Sequence, residues 1–267
     1  MGNWKGGNPY GGNWEWGVGV GTALPLPFPL PLPLPFPALV FPHFSFPTSH
    51  FPDVSRYRSL ILDVDSTLCG IEGVDWLARR RGPDVARRIA ETTDRAMSGE
   101  IPVEAVYGER LALVLPSRRD VSDLAQAYRD ALAPGAADAI HALRAADVRV
   151  VLVSGGLRQA ILPVALELGF AEGDLHAVDV RWHESGEYAG FDGTSPLTTQ
   201  HGKLDVVRSA ALPEPALAVG DGATDLAMRP AVAAFAAFTG FVRRDTVVLG
   251  ADYVCGSFGD LLALAMP

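Results

Sequence analysis

Leu60-Ile61-Leu62-Asp63-Val64-Asp65-Ser66-Thr67-Leu68 decides how the chain is read, because an apolar run stops at two carboxylates two residues apart. Arg58 precedes the run and Cys69-Gly70 follows it. An unbroken apolar run of this kind predicts a strand over 59–64 buried on both faces, the habit of parallel sheets. Asp63 and Asp65 then stand at its carboxyl end, the edge where open α/β sheets hold their ligands. There one carboxylate can attack an electrophile or bind a metal ion while the other moves protons.

Outward from this run, the chain after Arg56 alternates strand and helix patterns, as doubly wound α/β folds do. Further strands are predicted at 148–153, 175–180, 216–219, 232–238 and 252–254, and helices at 136–145, 157–168, 203–210 and 258–265. About eighty residues separate the first two strands, far too many for one crossover. They contain Val74-Asp-Trp-Leu-Ala-Arg-Arg80, 83–97, 102–113 and 120–132, all with helical periodicity and no strand signal. This predicts a helical subdomain at about 70–132, inserted after the first strand and covering the carboxyl end of the sheet.

With 267 residues, the chain is long enough for one large domain or a domain carrying an insertion. Hydrophobic residues make up 48% and charged residues 20%, a globular balance. A net charge of −9 argues against nucleic acid or an anionic membrane as partner, since either needs a basic face. Cys69 and Cys255 are the only cysteines, too few for a disulfide framework or a thiolate metal site, so both are expected to be packed or loop residues in a reducing cytoplasm. Composition leaves monomer and homodimer open.

The first 53 residues differ from the rest. Residues 1–22 are rich in Gly, Asn and Trp, and 25–37 alternate proline with Leu or Phe. Such alternation forbids a helix or a central strand, because amide donors are missing and φ is fixed. Extended polyproline II or disorder is expected, and a membrane helix is set aside on the same ground. A secretory signal fits poorly, with Lys5 the only early basic residue. Three readings compete: a ligand for a proline-reading partner, a tether, or a translation start placed too early. The last is favoured, with Val40 or Val54 as the true start and the domain running 54–267.

Three more motifs fall at predicted strand ends. Val151-Leu-Val-Ser154-Gly155-Gly156-Leu157 ends a strand in a hydroxyl and two glycines before a helix, a place where an anion can approach the backbone and meet free N–H groups. By itself this motif is better explained as a plain βα turn, for which Ser-Gly-Gly is ordinary. Gly202-Lys203-Leu-Asp opens a helix with a lysine, against the dipole preference, which suits a phosphate contact as well as a solvated surface residue. Ala218-Val-Gly-Asp221-Gly-Ala-Thr224-Asp225 ends a short strand in a second acid pair. Asp63 and Asp221 on neighbouring strand ends suit Mg²⁺, which takes one or two carboxylates plus phosphate and water oxygens. The joint occurrence in this order is what chance explains poorly.

These four motifs, in this order, resemble the haloacid dehalogenase superfamily, from Arg56 to about Leu264, and the insert is similar to the small helical cap of its phosphoserine phosphatase branch. Inside the cap, Glu72 in Gly70-Ile-Glu-Gly-Val-Asp75 sits where that family has a substrate-binding glutamate. Ala96-Met-Ser-Gly-Glu100 followed by Glu109-Arg110-Leu111 resembles its cap segment and places Arg110 against a substrate carboxylate. Gly190-Phe-Asp192 with Ser195-Pro-Leu-Thr198 looks like the loop before its lysine. Thr224 stands where many members have asparagine, and Val103 where many have phenylalanine.

The resemblance implies a Rossmann-like core and Mg²⁺-dependent hydrolysis of a small phosphomonoester, O-phospho-L-serine, as in serine biosynthesis. It implies Asp63 as nucleophile and Asp65 as general acid and base. Ser154, Gly155, Lys203 and Thr224 hold the phosphoryl group, Glu72 meets the ammonium and Arg110 grips the carboxylate. Asp63, the Asp65 carbonyl and Asp221 bind the metal, with Asp225 orienting them. Phosphohomoserine or another small phosphomonoester is the nearest alternative substrate. A receiver-like domain is set against by motif order and by the helical insert, and a non-catalytic module by the intact acids and lysine.

Overall fold

A computed structural model describes residues 55–266. The Gly/Trp-rich and Pro-rich segment, and the readings attached to it, lie outside the described residues.

β1 (Ser59–Leu62) is buried at every position, as its apolar run requires. Burying a Leu or Ile side chain of this kind is worth about 1.5–3 kcal/mol. Four insert helices follow: α1 (Gly73–Arg79), α2 (Pro83–Met97), α3 (Tyr107–Val114) and α4 (Arg118–Asp130). Their starts are written locally. Pro83 occupies the first turn of α2, where its missing N–H costs nothing. Ser117 caps α4 by accepting the Asp120 N–H at 3.1 Å, and Asp120 accepts the Ser117 N–H at 3.0 Å.

The chain returns through α5 (Ala136–Ala145) to β2 (Arg149–Leu157), α6 (Arg158–Glu167) and β3 (Leu175–Val178). β4 (Val180–Trp182) and β5 (Tyr188–Phe191) form an antiparallel hairpin. Then come α7 (Gly202–Ser209), β6 (Ala216–Gly220), α8 (Ala223–Leu226), β7 (Ala234–Phe238), α9 (Asp245–Gly250), β8 (Tyr253–Cys255) and α10 (Phe258–Ala265).

Six strands make one parallel sheet in the order β3-β2-β1-β6-β7-β8, confirming the doubly wound core. The order reverses between β1 and β6, so a crevice opens there at the carboxyl edge. Leu62 is in register with Leu152 on one side and Val219 on the other, and the Asp63 N–H donates to the Val219 carbonyl at 3.0 Å. That register sets the ends of β1, β2 and β6 beside one another. Among the described residues no helix is long and apolar enough to cross a membrane.

The structure departs from the sequence reading in four places. β2 runs on to Leu157, so Ser154-Gly155-Gly156 is strand rather than a turn, and α6 starts only at Arg158. The strand expected over 175–180 is two strands, and the hairpin it feeds was missed. Trp182 Nε1 donates to the Pro116 carbonyl at 2.9 Å, and the Tyr107 and Phe191 rings meet at 5.2 Å, so this hairpin braces the cap. The short helices α8 and α9 were missed as well. β1 stops at Leu62, just before the acid pair, and Ser66 takes a left-handed φ of 53° as the chain turns. Cys69 and Cys255 are both free and buried, as expected.

Candidate active site

Asp63 leaves β1 buried, and the Lys203 ammonium donates to its Oδ1 at 2.5 Å. The same ammonium donates to Asp225 Oδ1 at 2.6 Å. Burial and then the Asp225 charge raise the Asp63 carboxyl above its ordinary range, and Lys203 opposes them. For Lys203, burial favours the neutral amine, but Asp225 and Asp63 more than reverse it, so the ammonium is held charged. The lysine placed against its helix dipole is therefore explained by two buried carboxylates.

Asp65 points into the same pocket. Its Oδ1 accepts the Gly73 N–H and the Tyr128 hydroxyl, each at 2.7 Å, and Ser154 Oγ lies 3.5 Å from Oδ2. Burial and then the Asp63 charge push its carboxyl up to about 6, against the pull of the Tyr128 hydrogen bond. A carboxyl so placed can carry and release a proton near neutrality. Ser154 itself is fully buried and accepts the Gly156 N–H at 2.9 Å. Its hydroxyl, expected to donate to a phosphoryl group, lies within β2 and faces Asp65.

Asp63, Asp221 and Asp225 each offer a carboxylate oxygen within 4.8 Å of the others, all three buried. A hard-oxygen set of this size fits a divalent cation such as Mg²⁺. The backbone is shaped for it at Gly220, where a Cβ would lie 2.1 Å from the Asp225 carboxyl carbon. Asp225 Oδ2 accepts the Gly222 N–H at 3.0 Å, which fixes its orientation. Thr67 donates to Asp221 Oδ1 at 3.3 Å. Arg244, at the start of α9, pairs with Asp221 Oδ2 and lies 3.9 Å from Glu72 Oε1. Sequence reading missed Arg244, since Arg243-Arg244 looks like a solvated pair before a short helix.

The cap supplies the far wall. Asp63, Asp65, Glu72, Arg110, Gly155, Lys203, Asp221 and Thr224 line a single pocket, which opens to solvent. Val74, Met97, Val103, Tyr107 and Leu197 add apolar surface. The Tyr107 hydroxyl donates to the Gly155 carbonyl at 2.8 Å, tying cap to core. Glu72 accepts from the Ser66 hydroxyl at 2.8 Å, and burial and the Asp65 charge raise its carboxyl. Arg110 Nη2 donates to Asp75 Oδ2 at 3.2 Å while its buried Nε has no partner. Thr93 donates to the same Asp75 oxygen at 2.7 Å.

The family model of the haloacid dehalogenase-like hydrolases matches residues 60–248. The chain belongs to the haloacid dehalogenase-like hydrolases. Within them it groups with the phosphoserine phosphatases. A chloroplastic phosphoserine phosphatase of Arabidopsis thaliana is 36% identical over 81% of this chain and 75% of its own length. The phosphoserine phosphatase of Homo sapiens is 36% identical over 76% of this chain and 91% of its own. Among solved structures, a phosphoserine phosphohydrolase-like protein from Francisella tularensis covers 78% of this chain and 100% of its own, with a TM-score of 0.73 at 24% identity, a likeness of fold.

Proposed function

We propose that the chain hydrolyses O-phospho-L-serine to L-serine and phosphate through an aspartyl-phosphate on Asp63. One observation carries this reading: a single pocket joins the acid pair Asp63 and Asp65 to Glu72 and Arg110. A phosphorylated amino acid brings a phosphoryl group, an ammonium and a carboxylate, and these residues answer all three. The naming of curated relatives as phosphoserine phosphatases supports the same substrate.

Asp63 forms a bond to phosphorus as the bond to the seryl oxygen breaks, and Asp65 gives that oxygen its proton. Water then attacks phosphorus, its proton passes to Asp65, and the aspartyl oxygen leaves. Lys203 and the Gly155 backbone hold the phosphoryl oxygens where charge concentrates, with Thr224 beside them. Arg110 grips the substrate carboxylate and Glu72 the ammonium. Asp63, Asp221 and the Asp65 carbonyl would hold Mg²⁺, with Asp225, expected only to orient them, close enough to join them, and the ion would supply positive charge beside the phosphoryl group. Tyr107 and the apolar cap residues exclude water from the first step. Two unpaired cysteines suit the cytoplasm as the compartment.

The test is phosphate release by the full chain with Mg²⁺, comparing L-phosphoserine, phosphohomoserine, phosphoethanolamine and p-nitrophenyl phosphate. Preference for L-phosphoserine is expected. Preference for phosphohomoserine would move the reading to its nearest alternative, and activity on p-nitrophenyl phosphate alone would reject the roles of Glu72 and Arg110.

A further inference from the structure

Tyr128 lies on the last cap helix, with 0% of its surface exposed, and does not line the pocket. Its hydroxyl nevertheless reaches the proton-carrying group, donating to Asp65 Oδ1 at 2.7 Å. The Gly73 N–H donates to that same oxygen at 2.7 Å. A carboxylate with one oxygen held by two donors from different helices cannot rotate. The other oxygen then has a fixed direction: Oδ2 lies 3.5 Å from Ser154 Oγ and would be 2.8 Å from a Cβ at Gly156, so it faces the end of β2.

Gly73 belongs to the same device. A Cβ there would lie 2.2 Å from the Tyr128 hydroxyl oxygen and 3.4 Å from Asp65 Oδ1. The missing side chain at residue 73 is therefore the space in which the hydroxyl sits. A proton on Oδ1 would set three hydrogens against one oxygen, so the transferable proton belongs on Oδ2.

We propose that Tyr128 is a positioning residue which, with the Gly73 amide, fixes Asp65 so that Oδ2 is the oxygen exchanging protons in the reaction. This rests on the reading of Asp65 as general acid and base. In the first step the Oδ2–H proton passes to the ester oxygen as the phosphorus–ester bond breaks and the Asp63–phosphorus bond forms. In the second step a proton of the attacking water returns to Oδ2 as the water–phosphorus bond forms and the Asp63–phosphorus bond breaks.

The test uses the full chain carrying Tyr128→Phe, which keeps the buried ring and removes only the hydroxyl. The ratio kcat/KM covers the steps through leaving-group departure. A seryl oxygen needs the proton in order to leave, whereas p-nitrophenolate leaves without one. We expect kcat/KM to fall about tenfold on phosphoserine and less than about twofold on p-nitrophenyl phosphate. Gly73→Ala is expected to lower kcat/KM more in the wild type than in Tyr128→Phe, because the methyl group and the hydroxyl compete for one space. Equal losses on the two substrates, or no loss on either, overturn the proposal. Asp65→Asn, assayed alongside, separates the two readings. Unchanged kcat/KM on phosphoserine in that variant removes Asp65 as the acid, whereas a large loss there with an inert Tyr128→Phe removes Tyr128 alone.

Discussion

The Lys203 ammonium lies 2.5 Å from Asp63 Oδ1, although 140 residues separate the two in the chain. Both are buried, and Asp225 shares the ammonium at 2.6 Å. An unpaired charge at this depth would be costly, so the ammonium needs at least one buried carboxylate beside it. It also means that neutralising Asp63 leaves Lys203 a partner.

Asp63→Asn is therefore expected to abolish turnover of phosphoserine while the fold survives. Steady-state phosphate release together with circular dichroism checks both halves. Turnover near the wild-type rate would end the assignment of Asp63 as nucleophile.

Arg110 is expected to select substrate rather than perform chemistry. Arg110→Ala should raise KM for phosphoserine about a hundredfold, since a bidentate charge-assisted contact is lost, with p-nitrophenyl phosphate changed less than about threefold. The variant also takes from buried Asp75 its cation and leaves it the Thr93 hydroxyl, so thermal unfolding should show a loss of about 3 kcal/mol. Equal kinetic losses on both substrates would remove Arg110 from this role.

Metal dependence is expected at the three aspartates. EDTA should abolish activity and Mg²⁺ restore it. Mg²⁺ at about a hundred times its Kd should also stabilise the folded chain by about 2.7 kcal/mol. Asp221→Asn should lose that stabilisation in a thermal melt. A Tm unmoved by Mg²⁺ in the wild-type chain would count against a site made of Asp63, Asp221 and Asp225.

Stability should depend on pH through Asp120. Burial works against its ionisation, but hydrogen bonds from Arg81 and from the Ser117 hydroxyl and amide outweigh this and hold the carboxyl down at about 2. A carboxyl lowered in the folded state stabilises above its unfolded value of about 3.9, and that contribution fades as pH falls through the folded value. Asp120→Asn should thus cost about 1–2 kcal/mol at pH 7, after discounting for solvent screening, and almost nothing at about pH 1, below both values. Urea unfolding of both forms across that range measures the difference; a constant gap would assign the effect to helix capping instead.

Much of this molecule was legible along the chain. The run Leu60-Ile-Leu62 is apolar because β1 is a central strand of a parallel sheet covered on both faces, and it is buried at every position. The four insert segments read as helices because their periodicity and caps are local. Val180–Trp182 was not separable from β3, since one residue divides them and a three-residue strand has no pattern of its own.

Sequence by itself determined the fold class, the order of motifs at the sheet edge, and the candidate residues Asp63, Asp65, Glu72, Arg110, Lys203 and Asp221. Apolar runs and helical periodicity are short-range features, and side-chain chemistry is printed in the residue names. Only the tertiary structure decided which partners those residues keep. Tyr128, Asp75, Thr93 and Arg244 sit on helices or loops where neighbours in sequence say nothing of what they touch. Tyr128 meets Asp65 where the cap packs on the core, Asp75 meets Arg110 and Thr93 where the cap helices pack on one another, and Arg244 meets Asp221 inside the core, in each case because buried polar groups must find partners.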